Sequence, residues 1–141
     1  MNPSIINFIK KQTCATICCV DVEGNPFTFS CFYAFNSDDG FLYYKSDGQT
    51  FHSLLIKQNP KVAGTILPDK LKTFVVQGIQ FTGEVLTEPG DMSKRAAEYY
   101  YKKHPLALAM HGELWIVKLK YIKMTDSSQG FGKKINWERE V

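Results

Sequence analysis

Apolar and polar positions alternate most cleanly over Phe27–Phe35. Phe27, Phe29, Cys31, Tyr33 and Phe35 share one side, and Thr28, Ser30, Phe32 and Ala34 share the other, the period of two expected of a strand. Cys14–Val20 is almost continuously apolar or small and reads as a buried strand. Phe41–Tyr44, Lys61–Ile66, Phe74–Leu86, Glu113–Met124 and a short Ile135–Trp137 segment complete the strand set. Turn residues separate them, including Gly24–Asn25, Asn36–Gly40 and Pro89–Gly90. Helical spacing appears in three places. Asn2 caps a first helix with Pro3 at its first position. Phe51, Leu54 and Leu55 give a short second helix. Asp91 is placed to cap a third, which stops near His104 ahead of Pro105, with Leu106–Met110 adding a further turn. About six strands in two hairpin-rich groups, with three short helices at the edges, can close into a small barrel.

A chain of 141 residues with 44% hydrophobic and 22% charged residues reads as a single domain, residues 1–141, able to bury a core without staples. The formal charge of +3 suits an anionic small ligand and falls short of the dense basic surface of a nucleic-acid binder. The four cysteines, Cys14, Cys18, Cys19 and Cys31, sit in apolar strand runs, with no C-x2-C pair in a turn. They are expected to be buried free thiols of a cytoplasmic protein. The apolar runs are too short for a spanning helix. There is no G-x-G-x-x-G after a strand, no P-loop and no H-E-x-x-H. The three histidines are far apart and lack an acidic pattern for a metal.

One turn concentrates chemistry. Between Tyr44 and the second helix the chain places Lys45, Ser46, Thr50 and His52. Hydroxyls, a cation and free N–H groups at a helix start together form an anion site, or the hydroxyls simply cap the helix; which of them caps stays open. Gln80 is an amide inside a strand that would need partners if buried. His104 reads as a solvent-side helix end, where a ring with partial positive charge suits the helix dipole, and His111 as a loop residue. Lys133 and Lys134 offer charge, and Trp137 an anchor or an aromatic platform.

The strings CCV at 18–20, CFYAF at 31–35, VAGTI at 62–66, GIQFTGE at 78–84 and GFGKKINW at 130–137 resemble the FMN-binding split-barrel superfamily, the pyridoxamine 5'-phosphate oxidase-like proteins, and most closely its bacterial YhbP-like group. The resemblance implies a mainly β fold with peripheral helices, a six-stranded antiparallel split β-barrel. It also implies a homodimer with FMN at the subunit interface; the short apolar runs and mild charge add the expectation of no membrane and no nucleic-acid partner. By the same resemblance Lys45, Ser46, Thr50 and His52 hold the phosphate, Tyr33, Ala34 and Phe35 line the ring with backbone, and Gln80, Lys133 and Trp137 reach the cofactor. His52 stands where many relatives carry Arg or Lys. The implied activity is a flavin-dependent oxidoreductase of unknown substrate; the alternative is a non-enzymatic split-barrel binding or stress-related protein with weakened cofactor binding.

Overall fold

The computed structural model describes residues 1–130 and 132–141, with only the backbone of Gln129. Phe131 of the GFGKKINW string lies outside the described residues. The elements run α1 (Pro3–Lys11), β1 (Cys14–Val20), β2 (Pro26–Asn36), β3 (Phe41–Ser46), α2 (Phe51–Gln58), β4 (Lys61–Ile66), β5 (Gln77–Val85), α3 (Met92–Lys103), β6 (Glu113–Asp126) and β7 (Lys134–Glu138), with a short 3₁₀ helix at Pro105–Ala109.

Every pairing is antiparallel. The sheet order is β3-β2-β1-β4-β5-β6-β7, and β3 also pairs with β6. That second pairing closes six strands into a split barrel and leaves β7 as an extra strand on β6. The alternation read from the sequence is the alternation of barrel walls. Ile79, Phe81, Gly83 and Val85 point inward while Gln80 and Thr82 face out. Ile17, Leu42, Tyr44, Ile66, Val117, Leu119 and Ile122 join them in one core, and Ile5, Phe8 and Ile9 of α1 pack against it. A smaller cluster lies on the outer side of the wall, where Ala96 and Tyr100 of α3 cover Ala34, Tyr43 and Ile116.

Two local features explain parts of the sequence that periodicity does not. Gly64 stands opposite Ile17 and Phe81 across its two neighbouring strands. A Cβ there would lie 2.5 Å from the Thr16 carbonyl oxygen and run into the Phe81 ring. The glycine of VAGTI is therefore the space into which Phe81 packs. Thr50 settles the capping question: its hydroxyl accepts from Ser53 N–H at 3.2 Å at the start of α2. Its own proton has partners in the Asp47 carbonyl at 3.0 Å and Ser53 Oγ at 2.6 Å.

The structure corrects several expectations. The strand over Phe74–Leu86 begins only at Gln77, because Lys72–Val75 folds into a turn with Val75 N–H bonded to the Lys72 carbonyl. Asp91 occupies the cap position of α3 but makes no side-chain cap bond, its backbone being already helical. Only Cys19 is buried; Cys14 is exposed, Cys18 and Cys31 are intermediate, and all four are free thiols. The Tyr44 hydroxyl is enclosed without a hydrogen-bond partner.

Thr50→Ala is expected to lower unfolding free energy by about 1 kcal/mol, the usual cost of a lost cap, measured by urea denaturation. Gly64→Ala is expected to cost several-fold more, about 3 kcal/mol or beyond, since a backbone oxygen blocks relaxation; an unchanged midpoint would contradict the packing described.

Candidate functional site

Polar side chains gather at one place on the outer wall of the barrel. Helix α3 covers only part of the β2–β3 surface. Beyond its end, the chain returns through the Pro105–Ala109 helix toward β6. A cleft of about 490 Å³ lies between them, lined by Phe29–Phe32 of β2, Lys45 and Ser46 at the end of β3, and His52 of α2. Tyr100, Lys103 and His104 close it from α3, and Pro105–Ala107, Met110 and His111 from the following segment. Its lining holds two lysines, three histidines and no carboxylate. The remaining lining is largely aromatic or aliphatic, as small-molecule sites usually are.

Each polar group has a defined setting. Ser46 Oγ and His52 Nε2 are hydrogen-bonded at 2.8 Å. The His52 ring stacks on Phe29, with centroids 3.8 Å apart and planes inclined by 8°. Burial there holds the His52 pKa below the ordinary 6.5, so the ring is neutral at neutral pH. Trp115 Nε1–H donates to the Ser46 carbonyl at 2.9 Å and fixes the strand end. Lys45 Nζ donates to the Ala107 carbonyl at 2.7 Å and lies over the Tyr101 ring. Lys103 Nζ donates to the Gln12 carbonyl and sits 4.4 Å from the Tyr33 ring centre; desolvation lowers its pKa, opposed by the charge of Asp69. Burial pushes the Cys31 thiol up to about 12, so it carries no thiolate at neutral pH.

His104 departs from its expected place. It is half-buried in the cleft rather than a solvated helix end. Its Nε2–H donates to the Tyr33 carbonyl at 2.7 Å, and its ring is tilted against Tyr100 and Phe32. With the proton on Nε2, the neutral ring keeps its lone pair on Nδ1. His111 is an exposed loop residue, as expected, and pairs with Asp47 at 3.1 Å.

Of the residues singled out from the sequence, Lys45, Ser46 and His52 meet in this cleft. Thr50 is occupied as the α2 cap. Tyr33 is buried, with its hydroxyl donating to the Ile9 carbonyl at 2.5 Å and its own carbonyl taken by His104. Ala34 and Phe35 line a second cleft beside Lys10, Tyr99, Lys102 and Lys103. Gln80 is exposed on β5, among Thr16, Thr28, Thr65, Thr82 and Tyr121 on another part of the barrel surface. Lys133 is exposed ahead of β7. Trp137 is half-buried on β7, under the Arg139 guanidinium. The sequence reading missed the Phe29–Phe32 stretch, Tyr100, Lys103 and the Pro105–His111 return. The juxtaposition of Lys102, Lys103, His104 and Pro105 was the available signal.

No protein-family model matches the chain. Solved structures match its fold. A heme-binding protein from Mycobacterium smegmatis aligns with a TM-score of 0.78 at 12% identity, covering 93% of this chain and 55% of that one. An FAD-binding protein from Mesorhizobium loti aligns at 0.67 and 12%, covering 86% and 92%. At such identities the likeness is one of fold, a split barrel. Among the described residues no helix is long and apolar enough to cross a membrane. Sequence relatives are much nearer. A UPF0306 protein from Photorhabdus laumondii is 35% identical over 135 residues, covering 96% of this chain and 94% of the relative. Another, from Serratia proteamaculans, is 33% identical over 138 residues, covering 96% and 93%. With that identity along nearly the whole of both chains, the protein belongs to the UPF0306 family.

Proposed function

We propose that this protein binds FMN in the cleft between β2–β3 and the α3 return, and that it works as a cytoplasmic flavin-dependent oxidoreductase of the YhbP-like group. The observation that carries the reading is the composition of the cleft. Lys45, Ser46 and His52 stand together at the edge of an aromatic and aliphatic surface with no carboxylate in its lining, Asp47 being paired with His111 at the rim. A flat ring with a phosphate tail matches both parts. The fold neighbour that binds FAD gives the same direction of argument, at the level of a flavin.

FMN, when bound, supplies the redox chemistry. The chain's part is to bind and orient it. Ser46 Oγ and His52 Nε2 offer short polar contacts, and Phe29 braces the imidazole from behind. Lys45 supplies the permanent cation that His52 lacks at neutral pH. In this reading the protein is a homodimer. Gln80, Lys133 and Trp137 do not line the chain's own cleft, so they reach a cofactor only if a second copy brings them.

A second reading has its own observation. The Lys45 ammonium is already bonded to Ala107 and the His52 ring is desolvated. Both reduce the free positive charge for a phosphate and favour a non-enzymatic binding protein with weak cofactor affinity.

Titration of the purified chain with FMN and with riboflavin, followed by flavin absorbance and fluorescence, separates the readings. FMN is expected to bind at micromolar concentration with a clear preference over riboflavin. Lys45→Met is expected to erase that preference and weaken FMN roughly 10- to 100-fold, the scale of a lost charge-assisted bond. Absence of FMN binding, together with a visible heme spectrum on adding hemin, would move the assignment to the other ligand class found among the fold neighbours.

The pH response has a definite sign. Because the His52 pKa lies below 6.5 in the folded chain, unfolding takes up a proton in the window just below that value. Stability from this group is fully present above 6.5 and is lost as pH falls through the window. A bound anion favours the imidazolium and opposes that loss. FMN affinity of the wild type is therefore expected to rise between pH 8 and pH 6 relative to His52→Gln, in parallel titrations; parallel curves would remove His52 from the phosphate end.

A further inference from the structure

The loop from Leu67 to Val76 has properties that neither the barrel nor the cleft uses. Its roots are held firmly. Asp69 accepts from Thr13 N–H at 2.9 Å and from the Thr13 hydroxyl at 2.6 Å, and its own N–H donates to Gln12 Oε1 at 2.8 Å. At the other root, Val76 N–H donates to Ser127 Oγ, and Ser127 N–H returns a bond to the Val76 carbonyl. Between these braces, the Lys72–Val75 turn pushes Thr73 and Phe74 to the tip. Phe74 is 96% exposed, and Leu71 73%, Val76 62% and Leu67 56%. Single exposed apolar residues are ordinary, whereas four in ten residues on a braced projection mark a contact surface.

Positive charge outnumbers negative around it. Lys70 and Lys72 are exposed within the loop, against one carboxylate, Asp69, which accepts from Thr13 and keeps its charge. Lys133 and Lys134 stand beside it, because the Lys133 carbonyl pairs with Asp126 N–H and Asp126 is in register with Gln77, next to Val76. Apolar side chains ringed by lysines fit a surface that is greasy within and anionic at its face. A second copy fits less well. A two-fold contact centred on this loop would bring Lys70 and Lys72 of both copies together, and the main cleft adds Lys45 and Lys103 rather than a carboxylate.

We propose that the Leu67–Val76 loop docks this protein on an anionic lipid bilayer, with Phe74 and Leu71 entering the interface and Lys70 and Lys72 resting on the headgroups. The contact is peripheral and reversible, since a few side chains and a short basic ring hold far less than a spanning helix. It stands whether or not the cleft holds a flavin.

Co-sedimentation of the full chain with vesicles tests this. With equal phosphatidylglycerol and phosphatidylcholine at low salt, the protein is expected in the pellet. With phosphatidylcholine alone, or at ~0.5 M salt where surface charges are screened, it is expected in the supernatant. Phe74→Ser is expected to lower partitioning about tenfold, and Lys70→Ser with Lys72→Ser roughly 20-fold. Lys61→Ser, an exposed lysine at the far end of β4, is expected to change nothing. As a second variant, Phe74→Trp should add an indole emission that shifts to the blue with anionic vesicles. No sedimentation of the wild type, partitioning unaffected by Phe74→Ser, or an added emission in Phe74→Trp that is indifferent to lipid would overturn the proposal. So would ultracentrifugation showing that Phe74→Ser splits a dimer, which would give the loop to a second copy.

Discussion

The pairing of β3 with β6 is the constraint on which the rest of the molecule depends. Without it, β3 would be the open edge of a sheet, with unpaired backbone groups and no fixed twist. With it, Phe41–Tyr44 is held on both sides, by Tyr33–Asn36 of β2 and by β6, which carries the pairing on through Ser46. The bond from the Trp115 indole to the Ser46 carbonyl and the stacking of Trp115 on Tyr44 finish the seam at its polar end. That end is where the chain leaves the barrel for α2, so the seam determines where Lys45, Ser46 and His52 stand.

The same seam builds the opposite wall of the cleft. Tyr43 and Ile116, partners across it, present their outer faces to Ala96 and Tyr100 of α3. The helix is thereby set against the β2–β3 surface, and its last turn delivers Lys103 and His104. Inner and outer faces of one strand pair thus serve the core and the site at once. The cost is visible in Tyr44, whose hydroxyl is enclosed in the core without a partner; a buried polar group in that state opposes folding.

The barrel was legible because its signals are local. Alternation over Phe27–Phe35 and Ile79–Val85, the Asn2 cap with Pro3, and the short Phe51–Gln58 helix all follow from spacing of two or of three to four residues. Errors came where one residue has two roles. Phe74 and Val76 have strand chemistry but belong to a turn that exposes them. Asp91 has cap chemistry, but its backbone already turns helically. Half of the cleft was legible, because Lys45, Ser46 and His52 are near in sequence. The other half was not, because His104 meets Tyr33 across 71 positions and Lys45 meets Ala107 across 62. No periodicity encodes such meetings; only the closed barrel brings them about.

Arg139 shows what that dependence means in time. Its guanidinium donates to the carbonyls of Asp39, Gly40 and Leu119, tying the β2–β3 turn to β6. Gly40, with φ of +66°, makes room for it where a side chain would collide with the guanidinium. The arginine is added to the growing chain 100 positions after Asp39. During synthesis the β2–β3 hairpin therefore waits, already able to pair but unclamped, until β4 to β7 have followed it. An early turn is thus secured by a residue that is made after β7.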